Sequence, residues 1–539
     1  MNLSIQCIEE FSDSFHSGKI NYLKGVDMPQ NIGDFLTNRA RRDSGLEAIY
    51  EPATNTRLTY RELNDRSNQV AHSLIGSGVS HGDRVGLLLM NGKEFIESFF
   101  AVAKIGGVNV PLNWRLVADE LEFILHDAGV SVLLFSEEFS EVATELRNRG
   151  DKTNISTWIQ VDGETVEGAI DYSDWMSSSD TVEPEVSGGD DDLVFIMYTS
   201  GTTGLPKGVM HSHETVLWAN ITNATTADMQ HFDRFLNALP LFHVGALTPV
   251  ITSVFVGGSI TLMKAFDPAA SWDLIRDEKI NTTLMVPVML QFMLLTYDAE
   301  NHDHSTLRNV ISGAAPVPVS LIETYTNMGI EIHQVYGLTE TCGPACIISS
   351  EDAVTRAGST GKAFTFTEVR VVDSDGNECS PGEAGEVEVK GPHIMVGYWN
   401  RPEANKESLV DGWLKTGDVA TMDEDGFVTI VDRVKDMLIS GGENVYPAEI
   451  ENVLLSHELI NDAGVIGIPS QKWGESPLAV IVRSDDSLSE EDVINHCEGK
   501  LAPFKTVKAV EFIDVIPRNA SGKILKRELR ELYSYDASE

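Results

Sequence analysis

A chain of 539 residues exceeds what one hydrophobic core usually serves, so two or more domains are expected. Its 42% apolar and 8% aromatic content belongs to the globular class, and 40 basic against 82 acidic side chains give a net charge of −42, which disfavours nucleic acid and anionic membrane surfaces as partners. The acids are spread along the chain and read as a solvated surface rather than an acidic arm. The N-terminal MNLSIQCIEEFSDSFHSGK has no basic start followed by an apolar core, so no secretory signal is expected. Five cysteines, Cys7, Cys342, Cys346, Cys379 and Cys497, are too few and irregular for a disulfide framework or a zinc site, and a reducing cytoplasm fits.

Taken in order, Thr59-Tyr60-Arg61-Glu62 has capping-box spacing, and Tyr60, Leu63, Val70, Ala71 and Leu74 share one face of a helix ending at Gly76-Ser77-Gly78. Arg84 to Met90 reads as a buried strand. A helix near Glu94 to Ile105, a strand over Ser131 to Phe135 and a helix near Glu138 to Arg147 continue an α/β layer pattern. Gly163 to Asp192, polar and acidic, reads as a long surface connection. It leads into the apolar run Leu193 to Met197 and then Tyr198-Thr199-Ser200-Gly201-Thr202-Thr203-Gly204-Leu205-Pro206-Lys207-Gly208, with a helix following near His213.

That loop is suited to phosphate. Gly201, Gly204 and Gly208 let backbone N–H groups approach an anion, Thr199, Ser200, Thr202 and Thr203 add hydroxyls, and Lys207 adds a movable charge. It is not the Walker loop, since proline precedes the lysine and glycine follows it. Beyond it, Leu239-Pro240-Leu241-Phe242-His243 is expected after a helix, and Thr283 to Leu295, the most apolar stretch, is too short to span a bilayer and reads as a buried helix.

Val310-Ile311-Ser312-Gly313-Ala314-Ala315 is a strand running into small residues against which a flat ring can lie. Ile332-His333-Gln334-Val335-Tyr336-Gly337-Leu338-Thr339-Glu340 reads as a strand leading to Tyr336, Thr339 and Glu340; taken alone Glu340 would be an ordinary solvated acid, whereas with the phosphate loop upstream Tyr336 suits stacking, Thr339 a phosphate oxygen and Glu340 a hard oxygen ligand for Mg²⁺. Gly397-Tyr398-Trp399 precedes Asp411 to Asp418, where Asp418 suits two vicinal ribose hydroxyls. Phe427 to Val431 is a strand leading into Arg433-Val434-Lys435-Asp436. From Met437 the texture changes to a small α+β unit: a short apolar run to Ser440, a turn at Gly441-Gly442-Glu443-Asn444 and a helix from Pro447. Strands over 463–468, 478–482 and 509–513 and a helix near 490–497 follow. The chain closes with Pro517-Arg518-Asn519-Ala520-Ser521-Gly522-Lys523 and a helix bearing Leu525, Leu529 and Leu532.

Five ordered motifs, from the Thr199 loop to Lys523, resemble those of the adenylate-forming superfamily in its acyl-CoA synthetase branch. The resemblance implies an α/β fold with a large multi-subdomain N-terminal adenylation domain over 1–432, a hinge at 433–436 and a small mobile α+β C-terminal domain over 437–539. It implies ATP, coenzyme A and a carboxylic acid as partners with Mg²⁺ as cofactor, and it allows a homodimer. Residue by residue it carries Thr199 to Gly204 and Lys207 to the triphosphate, and Gly313, Ala314, Ala315, Gln334, Val335, Tyr336, Gly337 and Thr339 to the adenylate. Asp418, Phe427, Val431 and Arg433 go to the nucleoside side and Glu340 to the metal. His243, Gly313, Gly337 and Leu338 flank the acyl pocket, Lys523 is the lysine of adenylation, Lys435 the pivot, and Gly441, Gly442, Glu443, Asn444 and Tyr446 serve the thiol step. Where acetyl-CoA synthetases place a tryptophan in the 336–338 segment, glycine here implies an open pocket and an acid larger than acetate, medium- to long-chain fatty acids first, aryl or short functionalised acids such as methylthiopropionate second. A carrier-loading amino-acid enzyme would want an acidic residue near 242–246, where His243-Val244-Gly245 offers none. The end at Asp536-Ala537-Ser538-Glu539 is no peroxisomal address and leaves no carrier module, as expected of a free-standing ligase.

Overall fold

The structure, a computed structural model, describes residues 30–199, 206–315, 317–349, 351–433, 436–440, 443–470, 474–498, 500–501, 505–518 and 524–533. Among them the strands form four sheets. An eight-stranded sheet has the central strands Leu193–Thr199, Val108–Pro111, Arg84–Leu88, Val130–Ser136 and Thr157–Val161 running parallel, with Lys207–Ser212 and Gly397–Tyr398 added antiparallel at one edge. A nine-stranded sheet is built on parallel Ser259–Leu262, Arg234–Asn237, Thr282–Met285, Asn309–Ser312 and Glu331–Tyr336. Strands buried on both faces explain the continuous apolar runs, and Phe95, Phe99, Phe100, Phe195 and Phe235 meet in one core between these layers. A five-stranded antiparallel sheet contains Trp413–Met422 and Val428–Arg433. The smaller C-terminal unit wraps helices Pro447–Leu454, Glu490–Cys497 and Lys526–Leu532 around Ile460–Ser470, Gly474–Arg483 and Ala509–Phe512. No helix among the described residues is long and apolar enough to cross a membrane.

Local chemistry explains the elements that formed where expected. Thr59 caps the helix Tyr60–Gly76: its hydroxyl accepts from the Glu62 N–H and Glu62 Oε2 accepts from the Thr59 N–H at 2.8 Å, a reciprocal pair whose cap is worth about 1 kcal/mol. Ser489 caps Glu490–Cys497 in the same way with Asp492.

Several expectations are corrected. His243 follows the strand Arg234–Asn237, not a helix, and is itself the N-cap residue of Val244–Val256. Thr283 to Leu295 is not one helix: strand Thr282–Met285 turns at Val286 into helix Pro287–Thr296, because proline at the first helical position cannot continue a ladder. Its Phe292 and Leu295 are 50% and 81% exposed, so that helix is buried on one side only. The 163–192 connection holds a short strand, Ile170–Asp171, and helix Tyr172–Ser177, whose Tyr172 and Met176 join the main core. Its Glu183 meets the fully buried Lys104 ammonium at 2.8 Å, which compensates a charge that desolvation disfavours. Strand Arg84–Leu88 stops short of Met90, and the 443–444 part of the expected turn is the start of strand Glu443–Val445.

Candidate active site

Two neighbouring parallel strands create the site. Asn309–Ser312 and Glu331–Tyr336 pair with Ser312 opposite Gln334, so Gly313-Ala314 and Gly337-Leu338 leave the sheet side by side from carboxyl ends, where open α/β sheets bind ligands. The approach is tight: a Cβ on Gly313 would stand 2.4 Å from the Val335 carbonyl oxygen, and one on Gly337 1.4 Å from that of Gly343. Glycine at 337 is therefore demanded by backbone packing, a cause separate from pocket width. Ala314 is held at φ 66°, a left-handed conformation costing about 1–2 kcal/mol.

Between these turns and the helices Val244–Val256 and Pro287–Thr296 lies a cavity of about 560 Å³, whose lining includes His243, Gly313, Ala314, Val335, Gly337, Leu338 and Thr339. Apolar side chains complete the lining, among them Met229, Leu284, Val288, Met289, Phe292 and Phe364. His243 lies against Phe242 at 4.5 Å between ring centroids with a 53° tilt, and Phe242 meets Trp114 edge-on at 5.6 Å, so the three rings form one aromatic cluster beside the cavity. His211, pushed down to about 4 by burial, is neutral; its Nε2 lies 2.8 Å from the Thr339 carbonyl and must donate to it, fixing the backbone beside Glu340.

On the phosphate side the loop is a connection between antiparallel strands, Thr199 facing Lys207 as their last pair, not a strand-to-helix turn. Ser200, Gly201, Thr202, Thr203 and Gly204 lie outside the described residues. The Tyr198 hydroxyl donates to Asp127 Oδ2 at 2.7 Å, Arg401 donates to Asp127 Oδ1 at 3.0 Å, and the Trp399 indole donates to the Asp127 carbonyl at 2.9 Å, which anchors the strand entering the loop. Lys207 Nζ stands 5.0 Å from the centroid of the Tyr398 ring, and the Tyr398 hydroxyl donates to Glu340 Oε1 at 2.8 Å.

Glu340 Oε2 makes no hydrogen bond among the described residues, and no group of three or more His, Cys, Asp or Glu there could form a metal cage. One hard carboxylate without a cage fits Mg²⁺, which is commonly held by one or two carboxylates, water and substrate phosphates.

Asp418 is buried, and its Oδ2 accepts from the Tyr336 hydroxyl at 2.7 Å. Burial and, after it, Asp418 hold that phenol well above its usual range, so Tyr336 is a neutral donor orienting the carboxylate. The backbone of Arg433 pairs with that of Asp418 across the sheet. Val431 lies on the same strand as Arg433, and buried Phe427 carries the Arg356 and Lys362 cations over its ring at 4.4 and 4.5 Å. Gln334 spends an amide N–H on the Ser359 carbonyl at 2.9 Å, and Ala315 is half-buried beyond the strand end. Glu443 and Asn444 begin a short strand and Tyr446 is the N-cap residue of Pro447–Leu454. Lys435, Gly441, Gly442 and Lys523 lie outside the described residues. The chain on either side of 519–523 is described: Arg518 and Ile524 form a β-bridge, and Arg518, ion-paired to Asp462 at 2.7 Å, also lines the cavity.

The sequence reading did not single out Trp114, Asp127, His211, Met289 or Phe292. Only the apolar character of 283–295 hinted at Met289 and Phe292; Trp114 and Asp127 come from segments remote in sequence, and His211, though on the strand that Lys207 begins, acts through a carbonyl 128 positions away.

The whole chain resembles characterised proteins. A family model described as AMP-binding enzyme matches residues 36–399, and one described as AMP-binding enzyme C-terminal domain matches 449–523. A long-chain-fatty-acid–CoA ligase of Mycobacterium tuberculosis is 43% identical over 506 residues, 94% of this chain and 99% of that protein. A feruloyl-CoA synthase of an Amycolatopsis species is 38% identical over 94% of this chain and 99% of its own length. The structure of Bacillus subtilis o-succinylbenzoate–CoA synthetase in complex with ATP and magnesium superposes with a TM-score of 0.83 at 32% identity, covering 93% of this chain and 99% of that one.

Proposed function

This chain belongs to the AMP-binding enzyme family and is an ATP-dependent, AMP-forming acid–CoA ligase, and we propose that the acid it activates is larger than acetate, with medium- to long-chain fatty acids first. The observation that carries the choice is the apolar lining of the cavity by Met229, Leu284, Val288, Met289 and Phe292, which offers methylene groups an apolar surface to bury against. Trp114, Phe266 and Phe364 in the same lining keep an aryl acid as the second reading, in keeping with the feruloyl-CoA synthase among the relatives.

The reaction has two halves. A carboxylate oxygen attacks the α-phosphorus of ATP, the bond to the β-phosphate oxygen breaks, and pyrophosphate leaves with the electron pair; the thiol sulfur of CoA then attacks the acyl carbonyl and AMP leaves. Both halves are governed by positioning and charge neutralisation. In our reading Lys207 and the 199–204 loop hold the β- and γ-phosphates, and Mg²⁺ bound at Glu340 supplies further positive charge there. Asp418, oriented by Tyr336, accepts from the ribose hydroxyls. Gly313, Ala314 and Gly337 admit the flat base and the acyl carbonyl, and Lys523 neutralises charge between carboxylate and α-phosphate. His243 orients the acid rather than moving a proton. The division at 433–436, rotation of the C-terminal domain about it, the 441–446 segment as the thiol-step loop and a cytoplasmic location belong to the same proposal.

CoA consumption measured with acids from C2 to C16, benzoate, ferulate and methylthiopropionate tests it. A maximum among the longer fatty acids is expected; a maximum at acetate would overturn the assignment.

A further inference from the structure

The segment Met395–Trp399 ties the two charged groups of the phosphate side together. Its short strand Gly397–Tyr398 pairs with Lys207–Ser212, Tyr398 opposite Val209, and the Trp399 N–H donates to the Gly208 carbonyl at 2.7 Å. At its other end the Met395 N–H donates to the Glu340 carbonyl at 2.8 Å. Between them the Tyr398 side chain, 8% exposed, gives its hydroxyl to Glu340 Oε1 and its ring face to Lys207 Nζ.

We infer that Tyr398 is a positioning residue for the adenylation step: its hydroxyl fixes the Glu340 carboxylate so that one oxygen is left for the metal, while its ring holds the Lys207 ammonium at the phosphate loop. The inference rests on Glu340 as metal ligand and Lys207 as phosphate ligand. Both contacts are worth more here than on an open surface, because the group lies out of water.

The two contacts separate chemically. Tyr398→Phe keeps the ring and loses the tether; Tyr398→Leu loses both. ATP affinity is measured by calorimetry without acid, in Mg²⁺ and in EDTA, beside Mg²⁺ titrations of ATP–pyrophosphate exchange. Tyr398→Phe should raise the half-saturating Mg²⁺ about tenfold and weaken ATP binding in Mg²⁺, as loss of an outer partner of a metal ligand does, with binding in EDTA unchanged. Tyr398→Leu should also weaken binding in EDTA. In a Glu340→Gln background Tyr398→Phe should add nothing to the Mg²⁺ shift, which a merely structural role would not predict. Wild-type Mg²⁺ dependence in Tyr398→Phe, with Glu340→Gln shifted, overturns the inference and spares the reading beneath it. Wild-type dependence in Glu340→Gln removes that reading and the inference with it.

Discussion

Lys523, the proposed adenylation lysine, follows P-R-N-A-S-G; on either side of it Arg518 and Ile524 form a β-bridge, and Arg518 reaches both Asp462 and the cavity. Lys523→Ala should slow adenylate formation about a hundredfold or more, the scale of losing one preorganised charge in a transition state, while thioester formation from a supplied acyl-adenylate stays largely intact. Equal loss of both steps, followed by single-turnover kinetics, would contradict its role. A second residue-scale effect concerns histidines. Burial pushes His211, His213 and His393 down to about 4. Their folded values lie below the ordinary 6.5, so the unfolded chain binds more protons between these limits and stability is lost as pH falls from about 6.5 toward 4. Urea unfolding at pH 7, 6 and 5 should show a decline of up to about 1.4 kcal/mol per pH unit for each histidine; a flat profile over that range would rule it out.

Among the elements, helix Pro287–Thr296 contributes Val288, Met289 and Phe292 to the cavity lining, and under the proposed function it limits the acyl chain there. Met289→Trp should fill apolar space in the cavity, lowering turnover of C12 to C16 acids by about tenfold or more while C4 to C6 acids are spared. An unchanged chain-length profile in a variant of normal melting temperature would show that the acyl chain runs elsewhere. This is also an element whose start the sequence hid: a strand and a half-exposed helix, both apolar, merged into one hydrophobic run, and only pairing with Arg234–Asn237 and Asn309–Ser312 identifies residues 282–285 as a strand.

For the molecule as a whole, the proposed reading asks one cleft to serve two half-reactions, with Lys523 present for the first and withdrawn for the second. The proposed pivot at Lys435 resolves this, and Lys435→Pro restricts rotation there. Adenylation should persist in that variant, with the thiol step slowed about tenfold or more. Unimpaired CoA-dependent turnover would remove the pivot. At this scale the charge of −42 acts against anionic substrates, so local cations such as Lys207 must offset it if, as proposed, ATP binds at the phosphate loop.

The sequence by itself determined the class of chemistry and the α/β character of the fold. Hydroxyls, glycines and one lysine in order, a Thr-Glu pair after a strand, an isolated Asp and a late Ser-Gly-Lys carry the resemblance from which nucleotide activation follows, because charge and backbone access are local properties that a linear motif records. The caps and strand runs that set the α/β layers are equally local. What the tertiary structure decided is which residues meet across hundreds of positions: Tyr398 with Glu340 and Lys207, Tyr336 with Asp418, and Met289 and Phe292 with His243 around one cavity. Cavity shape and hydrogen-bond partnership depend on sheet register and helix packing, and no single segment of the chain encodes them.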